Sequence, residues 1–390
     1  MKKTVLFSFI LCCWLAANSQ SNLTQSFWVH FNSTPITAEM IQREAPRRQI
    51  VLLNAWDYKY ISQFKKVNPA VKVFVYKDLS STRDYHVKKG KDDELLPAGI
   101  GYVWAKENHP EWFLKDEKGK QLYYSGYGGH AQMDIGNEGY QDAWIKNVVT
   151  ELVKNGWDGV FLDNALFGRD EYHPGVFPAN YKSDEKFQGA YKTFLSKIDA
   201  ALKSAKKISI ANMSSARSFP GMWNEYLKYL DGGFDEWWLV FGKNNYVNEK
   251  VWQLQFEEML DTDAVNKLIL VQPHSSIDDE KGFYYAFATY WLGNNGNAFF
   301  SEQPVKDEYG DPQLWRKEYN WDLGKPLGKA YSTNNGRLYR RDFEKAIVLV
   351  NITDDKHTEI VLEQEYIDMQ GIKKTKAAVS PKSGLILRKF

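Results

Sequence analysis

The chain has 390 residues, and its 50 Lys and Arg side chains nearly balance its 49 Asp and Glu side chains, for a formal net charge of +1. A balanced charge provides no field that would recruit nucleic acid or an anionic membrane, so we expect neither partner. The aromatic content of 15% is compatible with core packing, and it also favours a carbohydrate partner, because tryptophan and tyrosine rings stack on sugar faces.

The first 19 residues have the pattern of a secretory signal peptide. Lys2 and Lys3 form a basic start, residues 5–15 an apolar run, and residues 17–19 a small-residue cleavage site. The apolar run is too short for a spanning helix. We therefore predict an exported protein without an integral membrane segment, periplasmic or extracellular if the source is bacterial. Both cysteines lie in this segment, so the mature chain is predicted to contain neither disulfide nor thiolate.

Eight apolar segments of strand length then alternate with helical segments. The predicted strands are residues 27–31, 50–54, 71–76, 160–162, 208–212, 232–236, 268–272 and 298–301. The predicted helices are residues 38–48, 58–66, 140–155, 187–205, 222–230, 250–260 and 283–292. Alternation of this kind predicts a (β/α)8 TIM barrel, which we place at residues 20–327.

A long insertion, residues 77–132, interrupts the alternation after the third strand. Its aromatic density argues against disorder, and long connections inside a regular α/β pattern are usually functional. We expect it to form one wall of a substrate cleft. Trp104, Trp112 and Tyr127 are candidates for stacking on sugar rings, although packing beneath the loop is about as common a role for each tryptophan.

The pattern changes after the turn-rich segment at residues 321–328. Short alternating strands are predicted at residues 337–343, 346–351, 359–362, 376–379 and 384–388. They indicate a small antiparallel β-domain over residues 328–390. No strand carries an evident row of aromatic side chains on one face, so we expect this domain to pack against the barrel rather than bind a glycan. We expect the protein to be a monomer.

Polar residues at the carboxyl ends of the strands face the side of a barrel where catalysis occurs. Asp163 and Glu236 stand out because each ends an apolar strand, and glycoside hydrolysis uses such a pair of carboxyl groups. Trp237 follows Glu236 and would shield it from water, which favours the protonated form that a general acid needs. The residues predicted to bind substrate are His30, Asp57, Tyr76, Asp78, Trp104, Asp134, Asn164, Asn212, Trp237, Gln272 and His274.

Other interpretations of these residues stay open at this point. Asp163 could cap the following turn, and Glu236 could form an internal ion pair with Arg169 or Lys77. The histidines share no ligand spacing of the kind that holds a metal, and no glycine-rich nucleotide loop is present. We therefore predict neither a metal nor a cofactor.

Four stretches carry a resemblance to a known family. Residues 133–137, 157–164, 230–237 and 321–328 resemble hypothetical glycosyl hydrolase family fifteen and, more distantly, the endo-α-polygalactosaminidase type of barrel. The resemblance implies a glycosidase in which Asp163 is the nucleophile and Glu236 the acid/base, with retention of configuration on an oligo- or polysaccharide. A catalytically inactive carbohydrate-binding barrel and a transglycosylase with the same pair are the alternatives.

Overall fold

The computed structural model describes residues 23–304, 309–312, 314–333 and 336–389, so the predicted signal peptide lies outside the described residues. Within these ranges, none of the helices combines the length and the apolar character that a membrane crossing requires.

Eight parallel strands form one sheet in chain order. They are β1 (Phe27–His30), β2 (Ile50–Leu53), β3 (Lys72–Asp78), β4 (Gly159–Asp163), β5 (Ile208–Asn212), β6 (Gly232–Asp235), β7 (Leu268–Val271) and β8 (Ala298–Phe300). The two edges approach each other where the backbone N–H of Phe300 donates to the carbonyl of Gln25 at 2.9 Å. The sheet therefore curls into a nearly closed barrel, and the predicted fold class is confirmed.

Alternate residues of the strands fill the barrel interior. They are Phe27, Val29, Ile50, Leu52, Phe74, Tyr76, Phe161, Ile210, Phe234, Leu270 and Phe299. Because side chains alternate along a strand, the intervening residues face the helices and form the larger core. Asp163 and Glu236 continue the interior rows of Phe161 and Phe234, so both carboxyl groups point toward the barrel axis.

Helices cover the outer face of the barrel. They are α1 (Ala38–Glu44), α2 (Ile61–Val67), α3 (Tyr102–Asn108), α4 (Glu138–Asn155), α5 (Asp184–Ser204), α6 (Met222–Leu227), α7 (Glu249–Ala264) and α8 (Glu280–Gly293). The side chains of Asn137, Ser183 and Asn248 cap the longest three, each contributing about 1 kcal/mol. Helix α4 ends at Gly156 with φ +78°, a conformation that glycine adopts without strain, and the chain turns directly into β4.

Element boundaries differ from the sequence-based prediction for local reasons. Helix α1 ends at Glu44 rather than at residue 48, because Pro46 has no backbone N–H to continue the helical hydrogen bonds. Strand β3 is longer than predicted and reaches Asp78, which pairs with Asp163 of β4. Pairing with a neighbouring strand thus extends an element beyond its apolar run.

The insertion between β3 and α4 folds onto the mouth of the barrel. Its segments Ser81–Arg83 and His130–Gln132 pair as antiparallel strands. On the inner side, Tyr140 of α4 donates from its hydroxyl to the carbonyl of Leu79 at 2.8 Å. The insertion is therefore a packed part of the barrel mouth.

A second sheet of six antiparallel strands follows the barrel. It contains β9 (Tyr331–Thr333), β10 (Leu338–Asp342), β11 (Ala346–Asn351), β12 (Thr358–Ile367), β13 (Lys373–Val379) and β14 (Ser383–Arg388), in the order β9-β10-β11-β14-β12-β13. The sequence did not predict β9, which is short and polar. The guanidinium of Arg341 donates to the carbonyls of Trp291, Leu292 and Asn294 at the end of α8, so this sheet packs on the barrel.

Candidate active site

A cavity of about 650 Å³ opens at the carboxyl ends of the barrel strands. Its floor is formed by four rings at the top of the barrel interior, those of Phe31, Tyr76, Phe161 and Phe234. The loops that follow β2 to β6 and β8 supply the walls. The volume lies in the range of small-molecule binding sites.

Two carboxyl groups in the cavity share one hydrogen-bond donor. The side-chain amide of Asn212, at the end of β5, donates through Nδ2 to Asp163 Oδ1 at 3.0 Å and to Glu236 Oε2 at 2.8 Å. Because β4, β5 and β6 are neighbours, their interior side chains converge. The two accepting oxygens are at most about 5.8 Å apart, the sum of these two distances.

Asp163 is half-buried and well supplied with donors. Its Oδ2 accepts from the hydroxyl of Tyr76 at 2.6 Å and from Asn164 Nδ2 at 3.3 Å. Burial raises the pKa of Asp163 to about 7, helped by the negative charges of Asp78 and Glu236, while the hydrogen bonds from Tyr76 and Asn212 act in the opposite direction. Because the charge of Glu236 contributes, this value describes the loss of the last proton from the carboxyl pair.

A buried ion pair supports Asp163 from behind. Asp78 is fully buried and accepts from Arg83 Nη2 at 3.0 Å and from Asn164 Nδ2 at 2.7 Å. The same Arg83 nitrogen donates to the hydroxyl of Tyr76 at 3.2 Å, and that hydroxyl in turn donates to Asp163. Such a satisfied network fixes the side chains that meet Asp163 Oδ2.

Asn164 is held in an unusual backbone conformation beside this network. Its φ is +60°, which asparagine tolerates better than most residues. The hydroxyl of Tyr172 donates to Asn164 Oδ1 at 2.5 Å, and the Tyr172 ring stacks on Tyr124 with centroids 3.8 Å apart. These contacts orient the amide nitrogen of Asn164 toward Asp78 and Asp163.

Glu236 sits on the opposite side of the cavity. Its Oε1 accepts a hydrogen bond from the hydroxyl of Tyr309. Trp237 also lines the cavity, and its ring stacks on His274 with centroids 3.7 Å apart. His274 Nε2 lies 2.8 Å from the backbone carbonyl of Glu236, so His274 supports this segment from below.

The ion-pair partners considered for Glu236 are engaged elsewhere. Lys77 pairs with Glu151 at 2.7 Å, and Arg169 pairs with Asp184 at 3.7 Å. Neither cation therefore forms the structural ion pair with Glu236 that the sequence left open.

The rim of the cavity on the insertion side presents aromatic and imidazole rings. The rings of Trp56 and His86 stack with centroids 5.6 Å apart, and the hydroxyl of Tyr85 lies 3.0 Å from His130 Nε2. Burial and the nearby Arg83 lower the pKa of His130 to about 4, so this imidazole is uncharged near neutral pH.

Four of the predicted substrate-binding residues line the cavity, namely Tyr76, Asn164, Asn212 and Trp237. Seven do not: His30, Asp57, Asp78, Trp104, Asp134, Gln272 and His274. For Asp78 and His274 the reason is that both lie behind residues that do reach the cavity, as described above.

His30 and Asp57 miss the cavity because of their direction. The interior row of β1 runs through Phe27 and Val29 to Phe31, so His30 points outward, and its Nδ1 lies 2.7 Å from the carbonyl of Gly310. Asp57 is buried in a short 3-10 helix, and burial raises its pKa to about 6.

The remaining residues are used in packing or lie on another surface. Asp134 accepts from Asn180 Nδ2 at 2.7 Å and from the hydroxyl of Tyr181, linking the insertion to the loop after β4. Gln272 is fully buried. Trp104 is 45% exposed on α3, away from the cavity.

The two other stacking candidates also separate. Trp112 is buried, its ring stacked on His109 with centroids 4.0 Å apart. Tyr127 lines the cavity and is 48% exposed.

The sequence-based prediction missed cavity residues that lie outside the eight barrel strands. They are Trp56, Arg83, Tyr85, His86, Tyr124, His130, Glu171, Tyr172, Arg217 and Tyr309. The aromatic density of the insertion identified the region of several of them, but no sequence signal identified Tyr309. Among the described residues, no group of three or more His, Cys, Asp or Glu side chains is placed to hold a metal ion.

The sequence matches one family over most of its length: residues 65–347 match hypothetical glycosyl hydrolase family 15. No match is found among curated proteins.

Solved structures share the fold at low sequence identity. A noncanonic maltogenic α-amylase, AmyB from Thermotoga neapolitana, is 12% identical with a TM-score of 0.51, covering 93% of this chain and 98% of that one. An α-amylase from Malbranchea cinnamomea is 8% identical with a TM-score of 0.52, covering 94% and 96%. At such identities the likeness concerns the fold alone.

Proposed function

The chain belongs to this hypothetical glycosyl hydrolase family, and on that premise we propose that it is an exported hydrolase that cleaves glycosidic bonds of an oligo- or polysaccharide with retention of configuration. The observation that carries the proposal is the pair formed by Asp163 and Glu236, bridged by Asn212 in a cavity at the catalytic face of a TIM barrel.

The separation of the two carboxyl groups supports retention. Retaining glycosidases place their carboxyl groups about 5–5.5 Å apart, whereas inverting enzymes leave about 6.5–9.5 Å for a water molecule. The shared amide of Asn212 limits the nearest oxygens to about 5.8 Å, which is below the inverting range. A carboxylate at this distance attacks the anomeric carbon directly.

The surroundings of each carboxyl group suit one role in this mechanism. Asp163, supported by Tyr76, Asn164 and Asn212, attacks the anomeric carbon and forms a glycosyl ester while the bond to the leaving oxygen breaks. Glu236 gives its proton to that oxygen. In the second step Glu236 takes a proton from the attacking water, which hydrolyses the ester and releases Asp163 as a carboxylate.

The reaction needs exactly one proton on the pair, since the nucleophile must be ionised and the acid protonated. The raised pKa of Asp163, about 7 in the presence of charged Glu236, means that the last proton leaves the pair only near neutral pH. Below this pH the pair holds the single proton that the mechanism requires.

The uncharged rings at the rim support a sugar ligand. Trp56, Tyr85 and Tyr127 line the cavity on the insertion side, where their faces and edges can meet the apolar faces of sugar rings.

The residue pattern of positions 1–19 supports the proposal that the protein is exported. The mass of the mature protein after expression in a secreting bacterial host tests whether this segment is removed.

A glycan panel tests the enzymatic proposal. Purified protein is incubated with oligo- and polysaccharides, and reducing ends and ligand-induced thermal shifts are measured together. For each cleaved glycan, proton NMR identifies the first-formed anomer, which we expect to be the retained one. Thermal shifts without cleavage would instead favour a carbohydrate-binding barrel. Transfer of the sugar to another sugar would favour a transglycosylase, and an inverted anomer would refute retention.

A further inference from the structure

A dipeptide from the loop after β8 is fixed onto the end of β1. The carbonyl of Tyr309 accepts from the backbone N–H groups of Phe31 at 2.6 Å and Asn32 at 3.0 Å. The carbonyl of the next residue, Gly310, accepts from Trp28 Nε1 at 3.2 Å and lies 2.7 Å from His30 Nδ1. Four hydrogen bonds therefore determine where the Tyr309 side chain begins.

The attachment packs Gly310 closely against Asn32. A Cβ added to Gly310 would lie 1.8 Å from Asn32 Nδ2, so a larger residue would require the Asn32 side chain to move. His30 is almost fully buried, and its Nδ1 must carry the proton in order to donate to the Gly310 carbonyl. The contact thus fixes the tautomer of His30 as well as the loop.

The phenol of Tyr309 crosses the barrel mouth to the acid/base residue. Its hydroxyl donates to Glu236 Oε1, while Asn212 Nδ2 donates to Glu236 Oε2. An amide nitrogen only donates, whereas a phenol hydroxyl both donates and accepts. Oε1 is therefore the oxygen better placed to carry a proton, because Tyr309 can bond to it in both protonation states.

We propose that Tyr309 is a further catalytic residue, which holds Glu236 Oε1 in place as that oxygen gives and takes the proton, and that His30 is a positioning residue that acts through Gly310. The proposal rests on the acid/base role of Glu236 proposed above. It assigns a role to His30 although this side chain does not reach the cavity.

Removal of the Tyr309 hydroxyl tests the contact by two independent measurements. In Tyr309→Phe, loss of a donor to the ionised carboxylate favours the protonated form, so the upper pKa of the carboxyl pair should rise by about 0.5–1 unit. Carboxyl ¹³C NMR of protein labelled at Asp and Glu measures this without any substrate. On a cleaved glycan with a poor leaving group, kcat should fall about tenfold with KM within about twofold.

The matched control is Tyr284→Phe. It also removes a phenol that donates to a carboxylate, that of Glu318 at 2.7 Å, but both residues lie outside the cavity lining. The control should change neither the pKa of the catalytic pair nor kcat. If Tyr309→Phe behaves like Tyr284→Phe in both measurements, the proposed role of Tyr309 is wrong.

The role of His30 is tested by a pair of substitutions. His30→Leu removes the donor to Gly310 and should shift the pKa and kcat in the same direction as Tyr309→Phe, with a threefold to tenfold loss of kcat. His30→Asn places an amide N–H near the position of Nδ1 and should recover most of that loss. If His30→Leu fails to fold, Trp28→Phe removes the other side-chain donor to the Gly310 carbonyl and should give the shift. Equal effects of His30→Asn and His30→Leu, or an unshifted Trp28→Phe variant, would refute positioning through Gly310.

The two proposals fail in different ways. If the wild-type protein cleaves no glycan while Tyr309→Phe still raises the pKa of the pair, the contact stands and the hydrolase proposal fails. If glycans are cleaved with retention but the Tyr309 variant is unchanged, only the inference about Tyr309 is overturned.

Discussion

Two clusters of carboxyl groups lie on opposite sides of β6, because Asp235 and Glu236 are consecutive and strand side chains alternate. Glu236 meets Asp163 at the cavity. Asp235 faces the helices, where Gln255 Nε2 of α7 donates to it at 2.6 Å. Burial and, to a smaller extent, the charge of Asp235 raise the pKa of Glu258 on the same helix. Both clusters therefore concentrate acidic groups within the barrel domain.

A raised pKa does not distinguish the two clusters. Burial raises the pKa of Asp163 to about 7, that of Asp235 to about 6 and that of Glu258 to about 9. The difference lies in access: Asp163 lines an open cavity, whereas Glu258 is buried and its Oε1 has no hydrogen-bond partner among the described residues. Desolvation alone produces a perturbed acid, and catalysis also requires contact with a substrate.

The largest expected effect comes from Asp163→Asn in the cavity cluster. Loss of the proposed nucleophile should lower kcat by about four orders of magnitude, the scale of removing one member of a catalytic group, while glycan binding persists. Initial rates and isothermal titration measure the two effects. The matched change in the other cluster, Glu258→Gln, should leave kcat/KM within about twofold. An active Asp163→Asn enzyme would contradict the assignment of the two clusters.

Glu236→Gln should have a smaller effect that depends on the leaving group. With natural glycans, whose leaving oxygen needs a proton, kcat should fall about 10²–10⁴-fold, whereas activated aryl glycosides need little protonation and should lose much less. Rates across a series of aryl glycosides provide the measurement. Equal losses across the series would show that Glu236 does not act as the general acid.

The insertion offers a second comparison, between an aromatic ring in the cavity wall and one outside the cavity. Tyr127→Ala removes a ring from the cavity wall and should raise KM about twofold to tenfold, which corresponds to about 0.5–1.5 kcal/mol of aromatic contact. Trp104→Ala removes a ring of similar exposure outside the cavity and should leave KM unchanged. Steady-state kinetics on one cleaved glycan compares the KM values of the two variants. A larger rise in KM for Trp104→Ala than for Tyr127→Ala would place the substrate on the outer surface of α3.

Glu258→Gln should alter stability alone. The folded protein holds a proton on Glu258 up to about pH 9, whereas the unfolded chain releases it near the ordinary glutamate pKa of about 4.3. Wild-type stability should therefore fall as pH rises between these values, and the uncharged glutamine removes that dependence. By differential scanning calorimetry, the variant should gain about 5–8 °C in Tm relative to wild type between pH 5 and pH 9. Parallel Tm curves would contradict a buried, protonated Glu258.

The sequence alone was sufficient for the barrel and for the positions of Asp163 and Glu236 at one rim of it. Strand-length apolar runs alternating with helical segments are local signals, since burial on both faces makes parallel strands continuously apolar. Strand β4 ends at Asp163 and β6 is followed by Glu236, both in the interior rows, so the two residues could be assigned to the same rim.

Because the strands are apolar on both faces, the sequence did not show the direction of other side chains. In β1, Phe27, Trp28 and Val29 are apolar on both faces, so no alternation showed that His30 points away from the cavity. Asp78 has the interior direction, but the insertion folds over it and encloses it with Arg83. Neither fact is encoded in a local pattern, because both depend on what packs above the strand end.

Only the tertiary structure decided which side chains meet the two carboxyl groups. Asn212 was predicted at the rim, but its position between Asp163 and Glu236 follows from the order and spacing of three neighbouring strands. Tyr309 comes from a loop 73 residues beyond Glu236 and reaches it because Gly310 is bound to β1. Contacts between residues so distant in the chain arise only when the barrel closes and brings its first and last strands together.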